Sequence, residues 1–181
     1  RLGMVHLTKE TDCKSVNTDR RSKSQLAVFV HFDYSRPMAK QAERRAATSE
    51  AILTAARRLF GTQGFAATTM DEIAEAAQVA KGAVYHHFKT KEAVFEAVFD
   101  LVSRDLVVEI DSAARAEKDV LAAMVAGTQH YFAATAKGPT GQIILRDGPA
   151  VLGWERWREI DARHFGGKMP RAIAAAMEAG L

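Results

Sequence analysis

The chain has 181 residues, 48% of them hydrophobic, enough to bury a substantial core in one or two domains. A formal charge of +3 names no partner by itself, and the lone cysteine, Cys13, excludes an internal disulfide framework or a cysteine-rich zinc site and suits a reducing cytoplasm. No apolar run reaches the roughly 18 residues of a membrane span, and four prolines and twelve glycines against abundant Ala, Glu, Arg and Leu predict an all-α protein.

Residues 1–37 differ from everything after them. They are poor in alanine, rich in Ser, Thr, Asp, Lys and Arg, and carry no helical period, so they read as a disordered N-terminal extension. The one apolar patch, Leu26 to Phe32, is strand-like and does not form a usual signal-peptide core. The basic Arg20, Arg21 and Lys23 fit either a solvated tail or an arm that helps to hold DNA. Composition changes at Met38, which reads as a natural start.

From Thr48 to Phe60, Ile52, Ala55, Ala56, Leu59 and Phe60 recur at i, i+3, i+4, i+7 and i+8, the apolar stripe of an amphipathic helix. Gly61 and Gly64 are expected to end it, with Phe65 plugging the core beneath the next two helices. The preceding Lys40, Arg44 and Arg45 suit either the phosphate backbone, where they would add affinity and salt dependence without sequence preference, or plain solvent.

The stretch from Thr69 to Phe88, TMDEIAEAAQVAKGAVYHHF, reads as two short helices joined by a turn. Thr69 and Glu72 form a T-x-x-E capping box, and Asp71 and Glu72 suit the helix dipole. Ile73, Ala74 and Ala77 mark one apolar face, and Val84 with Phe88 mark the next. The turn Gln78 to Lys81 leaves room only for a steep crossing over a shared contact, the helix-turn-helix arrangement. No acid occurs from Ala76 to Lys91, whereas Lys81, Lys89 and Lys91 are basic and Tyr85, His86 and His87 add donors. Lys81 sits in the first turn of the second helix, Gly82 and Ala83 are small enough to let the backbone approach base edges, and Tyr85 and His86 lie within reach. Such a surface fits double-stranded DNA. Two amphipathic helices of an ordinary bundle would carry the same pattern.

Beyond Lys91, the segment Glu92 to Ile110 carries Phe95, Val98, Phe99, Val102 and Leu106 at helical spacing. A further helix follows from about Lys118 through Val120, Leu121, Met124, Val125, His130, Tyr131 and Phe132, broken by Gly138-Pro139. Asp147-Gly148-Pro149 and Leu152-Gly153 signal turns or kinks, and Trp154 to Arg163 and Arg171 to Ala179 read as helices. Met124, His130, Phe132, Trp154, Trp157 and His164 are the candidates for an apolar ligand cavity, with packing as the alternative for the two tryptophans.

Enzyme signatures are missing: there is no G-x-x-x-x-G-K-[ST], G-x-G-x-x-G, H-E-x-x-H or G-x-S-x-G. Adjacent His86 and His87 point about 100° apart around a helix and cannot share a metal as i, i+4 histidines do. Asp161 and His164, at i, i+3, fit a surface pair better than a cation site. Neither catalysis nor a cofactor or metal is expected.

The run ILTAARRLFGTQGFAATTMDEIAEAAQVAKGAVYHHFKTKEAVFEAVF resembles the N-terminal DNA-binding domain of tetracycline-repressor (TetR) family regulators. The resemblance covers about Ala46 to Leu106 and rests on A-x-x-L-F, G-x-x-G-F, T-T-M-x-x-I-A, V-A-K-G-x-V-Y-x-H-F and K-x-K-E in order. It implies a cytoplasmic homodimeric transcription regulator, usually a repressor, that sets one recognition helix per subunit in successive major grooves until a small-molecule effector binds the C-terminal domain. It also implies that Thr69, Lys81, Gly82, Tyr85, His86 and Lys89 meet DNA, and that the helix from Glu92 is the lever between the two domains. Ala80 stands where the family often has a serine, and its missing cap would cost about 1 kcal/mol. The resemblance divides the chain into an extension over 1–37, a DNA-binding domain over 38–106 and a helical regulatory domain over 107–181. Family members usually continue for two more long helices that build the dimer, so this chain is expected to lack the last of them or to dimerise by another surface. If the dimer fails, the alternative is a helical ligand-binding or protein-interaction module with only weak, non-specific DNA binding.

Overall fold

The computed structural model describes residues 35–178 and Gly180. Of the extension expected over residues 1–37, positions 1–34, with Arg20, Arg21, Lys23 and the patch Leu26 to Phe32, lie outside the described residues, whereas Ser35 to Pro37 are helical and not an extension. Those described are helical throughout, as composition predicted.

Helix α1 spans Ser35–Ala67. It starts upstream of Thr48-Ser49-Glu50, where an amphipathic start was expected. Alanines and long straight-chain residues from Met38 to Ala47 have high helix propensity and carry the helix through this point. Thr48 Oγ1 then donates to the Arg44 carbonyl at 2.9 Å instead of capping. Gly64, at φ 81°, is the kink that ends the regular part of α1. Gly61 stays helical, and its lack of a side chain serves packing: a Cβ there would stand 2.5 Å from the Pro139 Cβ.

Helix α2 (Met70–Ala76) begins in the expected capping box. Thr69 Oγ1 accepts from Glu72 N at 3.2 Å, and Glu72 Oε2 accepts from Thr69 N at 2.8 Å. Hydrogen bonds from the Thr69 backbone and hydroxyl hold the Glu72 carboxyl below its ordinary range. Gln78, at φ 56°, makes the turn, and helix α3 (Lys81–His87) follows. Helix α4 (Lys91–Arg115) starts on Thr90, whose side chain accepts from Ala93 N at 3.1 Å.

Helix α5 (Val120–Ala136) packs along α4, its start capped by Asp119. Gly127 faces Ile110 Cγ2 closely enough that a Cβ would lie 3.3 Å away, so the two helices approach tightly there. Next come the short α6 (Gly138–Gly141), a π-helical segment (Gln142–Asp147) and α7 (Gly148–Leu152). Asp147-Gly148-Pro149 was expected to turn the chain, but it stays helical. The Gly148 N–H reaches back five residues to the Ile143 carbonyl, and Pro149, which has no N–H to satisfy, occupies the first turn of α7. Gly153, at φ 74°, breaks the chain before α8 (Trp154–Phe165), and α9 (Lys168–Glu178) follows.

One core runs through the described residues. Phe60 packs against Phe95 with ring centroids 5.2 Å apart, Phe65 against Phe95 at 5.3 Å, and Ile143, Ile144 and Ile160 join the same buried cluster. The N-terminal and C-terminal halves therefore share their apolar interior. Lys91 locks one corner: its Nζ donates to the carbonyls of Phe65 and Thr68, each at 2.8 Å, and sits 4.2 Å from the Phe65 ring centroid. The sequence had placed this lysine on the phosphate-facing surface; its stem instead carries the charge back to the carbonyls at the end of α1, where a cation is favoured.

Two substitutions test this account by urea denaturation. A Cβ at position 148 would stand 2.7 Å from Phe99 Cε2 and 3.0 Å from the Ile143 carbonyl, so Gly148→Ala should destabilise by about 1–3 kcal/mol. Lys91→Met keeps the stem but takes the lysine's hydrogen bond from the Thr68 carbonyl and one of two donors from the Phe65 carbonyl, and should cost about 1–3 kcal/mol. An unchanged midpoint in either variant contradicts the corresponding contact.

Candidate nucleic-acid interface

Helix α3 is anchored by one face and offers the other. Val84 is fully buried beneath it and Phe88 packs against the core from its end. Lys81, Gly82, Tyr85, His86 and Lys89 are exposed. Their spacing of i, i+1, i+4, i+5 and i+8 puts the four helical positions on a single stripe opposite Val84, with Lys89 just beyond the helix end. Ala83 is half-buried at the flank of this stripe. A Cβ added at Gly82 would meet nothing within 4 Å, so the backbone there is open to a close-approaching surface.

Ala80 precedes α3 in extended backbone and provides no side-chain cap, as its identity predicted. Lys81 is exposed but engaged: its Nζ bonds Asp71 at 2.8 Å across to the first turn of α2. The hydrogen bond and charge of Asp71 push the Lys81 pKa above its ordinary value, so the ammonium stays protonated. Thr69 is exposed at the start of α2, with its hydroxyl committed to the capping box, where it also donates to Glu72 Oε2 at 2.9 Å. The His86 and His87 rings meet edge to face at 5.8 Å. Burial first, and then the nearby Arg45 guanidinium, lower the His87 pKa, which places Arg45 of α1 in electrostatic reach of α3. Lys40, Arg44 and Arg45 are all exposed along α1.

A second feature lies at the other end of α4. A cavity of about 590 Å³ opens between α4, α5, α8 and α9. Of the residues the sequence nominated for a ligand, Met124 and Phe132 line it. The other four do not. His130 meets Glu109 at 3.1 Å, and His164 meets Asp100 at 2.9 Å. Trp154 and Trp157 stack at 5.1 Å, and Trp157 Nε1 donates to the Ile144 carbonyl, which is packing rather than pocket lining. The cavity instead takes Thr128, Tyr131, Asp161 and Lys168. A helical-face count could have found the first two: Thr128 and Tyr131 stand at i+4 and i+7 from Met124, whereas His130, at i+6, points away.

Comparison with known proteins gives a consistent result over both halves. The profile described as "Bacterial regulatory proteins, tetR family" matches residues 52–98, and one described as "Tetracyclin repressor-like, C-terminal domain" matches residues 121–181. The chain is 26% identical to the TetC protein of transposon Tn10 from Escherichia coli over 141 residues, 76% of this chain and 70% of that protein. It is 36% identical to the HTH-type transcriptional regulator AcrR of Shigella flexneri over 110 residues, 60% of this chain but only 51% of AcrR. Among solved structures, the fatty acid degradation regulator FadR of Bacillus halodurans shares the fold at a TM-score of 0.62 and 20% identity, over 73% of this chain and 69% of that one. With α2, the Gln78 turn and α3 forming its helix-turn-helix, this chain belongs to the TetR family of DNA-binding transcription regulators.

Proposed function

We propose that the chain is a ligand-responsive repressor that binds a palindromic operator as a homodimer, with α3 of each subunit in the major groove. The observation that carries this reading is the exposed stripe of α3, rigidly presented by the buried Val84. In this reading Lys81 and Lys89 hold phosphate, Gly82 and Ala83 allow close approach, and Tyr85 and His86 reach base edges. Thr69 supports the start of α2 while standing at the phosphate backbone. The effector occupies the cavity around Met124 and Phe132, and the partners are double-stranded DNA, a second copy of the chain and that small molecule.

The signal has a physical path. Helix α4 begins beside α3 and ends with Ile110, Asp111 and Ala114 in the cavity wall. Helix α8, which also lines the cavity, is tied to α4 through Arg156 on Glu96 and through Arg163 and His164 on Asp100. A ligand that shifts α8 against α4 therefore moves the base on which α3 stands. Two recognition helices must lie about 34–36 Å apart to enter successive major grooves, so a small change at each is enough to lose the operator.

Fluorescence anisotropy on duplex from upstream of the chain's own gene, against scrambled duplex over a salt series and with light scattering for mass, tests the reading. A dimer that prefers the upstream duplex supports it; equal, salt-labile binding by a monomer overturns it. Lys81→Ala should weaken both duplexes alike and reduce the salt slope by about 1, whereas His86→Ala should change base preference. Asp71→Asn releases Lys81 from its exposed pair and removes a negative charge beside phosphate, so binding should tighten by up to about fivefold at low salt. If none of the three variants alters binding, α3 is not the reading element.

A further inference from the structure

The effector cavity has a charge arrangement that selects among ligands. Its walls are mostly apolar, and three of its lining side chains, Asp111, Asp161 and Lys168, are carboxylates or ammonium. Two of these cancel: Lys168 Nζ bonds both oxygens of Asp111, each at 2.7 Å. Asp161 has no ion-pair or hydrogen-bond partner among the described residues. His164, one turn further along α8, lends it some stabilisation but is itself bonded to Asp100. Burial holds the Asp161 carboxyl above the usual carboxylate range, and the same carboxyl, after burial, helps to raise the pKa of Tyr131 across the cavity.

Three aromatic rings line the same cavity as this carboxyl. Tyr131 packs edge to face on Phe132 at 5.6 Å and on Phe165 at 6.0 Å, and all three line the cavity. A carboxylate short of a partner, in a cavity also lined by aromatic rings whose faces attract positive charge, is complementary to a cation carried on an apolar body. An anionic ligand would meet Asp161 with Lys168 already occupied. A neutral one would deepen the desolvation of Asp161 without compensating it.

Resting on the reading of this cavity as the effector site, we infer that it takes an organic cation: an amine or quaternary ammonium on an apolar, partly aromatic body, with Asp161 as its counter-ion. The aromatic faces of Tyr131, Phe132 and Phe165 contribute the rest of the selectivity.

Isothermal titration calorimetry of the full chain with three probes on one phenylbutyl body tests this: phenylbutyltrimethylammonium, phenylbutanol and phenylbutanoate. The alcohol reports the apolar cavity, and the cation measured against it reports Asp161. The cation should bind about tenfold or more tighter than the alcohol, and the carboxylate weakest of the three. Asp161→Asn should bring the cation to the level of the alcohol while alcohol binding persists, and Asp161→Glu should keep the preference. Equal binding of all three, tightest binding of the carboxylate, or a cation preference that survives Asp161→Asn each overturn the inference while leaving the cavity as a ligand site. Failure of all three probes overturns both the inference and the effector site. If Asp161→Asn does not fold, the ranking on the unaltered chain decides.

Discussion

The lysine at the start of α4 sets the geometry on which the helix-turn-helix end depends. Past the kink at Gly64, Lys91 donates to the Thr68 carbonyl and to the Phe65 carbonyl, which also accepts from the Thr68 N–H at 3.3 Å. The contact pins the end of α1 to the beginning of α4, and Thr69, which opens α2, is the next residue after one of those carbonyls. Helix α3 is then suspended between two fixed points: the capping box at the start of α2 and the Thr90 cap of α4. Seven residues long and without a side-chain cap, α3 is too short to be stable by itself. Its exposed stripe holds its orientation because α1, α2 and α4 hold Val84 and Phe88.

The same framework makes one continuous body of the described chain. The Asp147 carboxylate, at the end of the π-helical segment, accepts from the Phe65 N–H at 2.8 Å and from Gln142 Nε2 at 3.1 Å. Ile143 and Ile144 of that segment sit in the core with Phe60, Phe95 and Phe99. Wider turns of a π-helix push one residue outward, and here the register allows Gly148 to pass the Phe99 ring while Asp147 reaches the end of α1. The exposed pairs Arg156 with Glu96 and Arg163 with Asp100 add little stability in water. Under the proposed mechanism their value is directional, because they decide which part of α4 follows a movement of α8.

The parts legible in the sequence were those specified by neighbours in the chain. The capping box, the i, i+4 apolar spacings and the short turn name α2 and α3 locally, and the structure adds only the left-handed Gln78. Long-range contacts were hidden. Thr48-Ser49-Glu50 has the composition of a helix start, yet propensity upstream continues α1 through it. Gly148-Pro149 has the composition of a turn, yet the π register absorbs it. Lys81 opens α3 and Lys91 opens α4; Lys91 closes the fold and Lys81 is held by Asp71, and only their three-dimensional partners tell them apart. Of the cavity the sequence reading found Met124 and Phe132 and missed Thr128 and Tyr131 on the same helical face, whereas Asp161 and Lys168 arrive from α8 and α9 through packing that no local pattern encodes.

Under the proposed mechanism, the length of α4 converts a modest event in the cavity into a change at DNA. Its 25 residues make a rod of about 37 Å, so a tilt of about 5° at one end displaces the other by about 3 Å. That is about the reach of one hydrogen bond, and in a dimer both ends move. Coupling is reciprocal: whatever factor the effector takes from operator affinity, the operator takes from effector affinity. The effector must therefore prefer the tilted form, and the cavity between α4, α5, α8 and α9 can supply that preference only if a ligand changes the separation of α4 and α8. A ligand that merely filled existing space would bind both forms equally and release nothing, however tightly it bound.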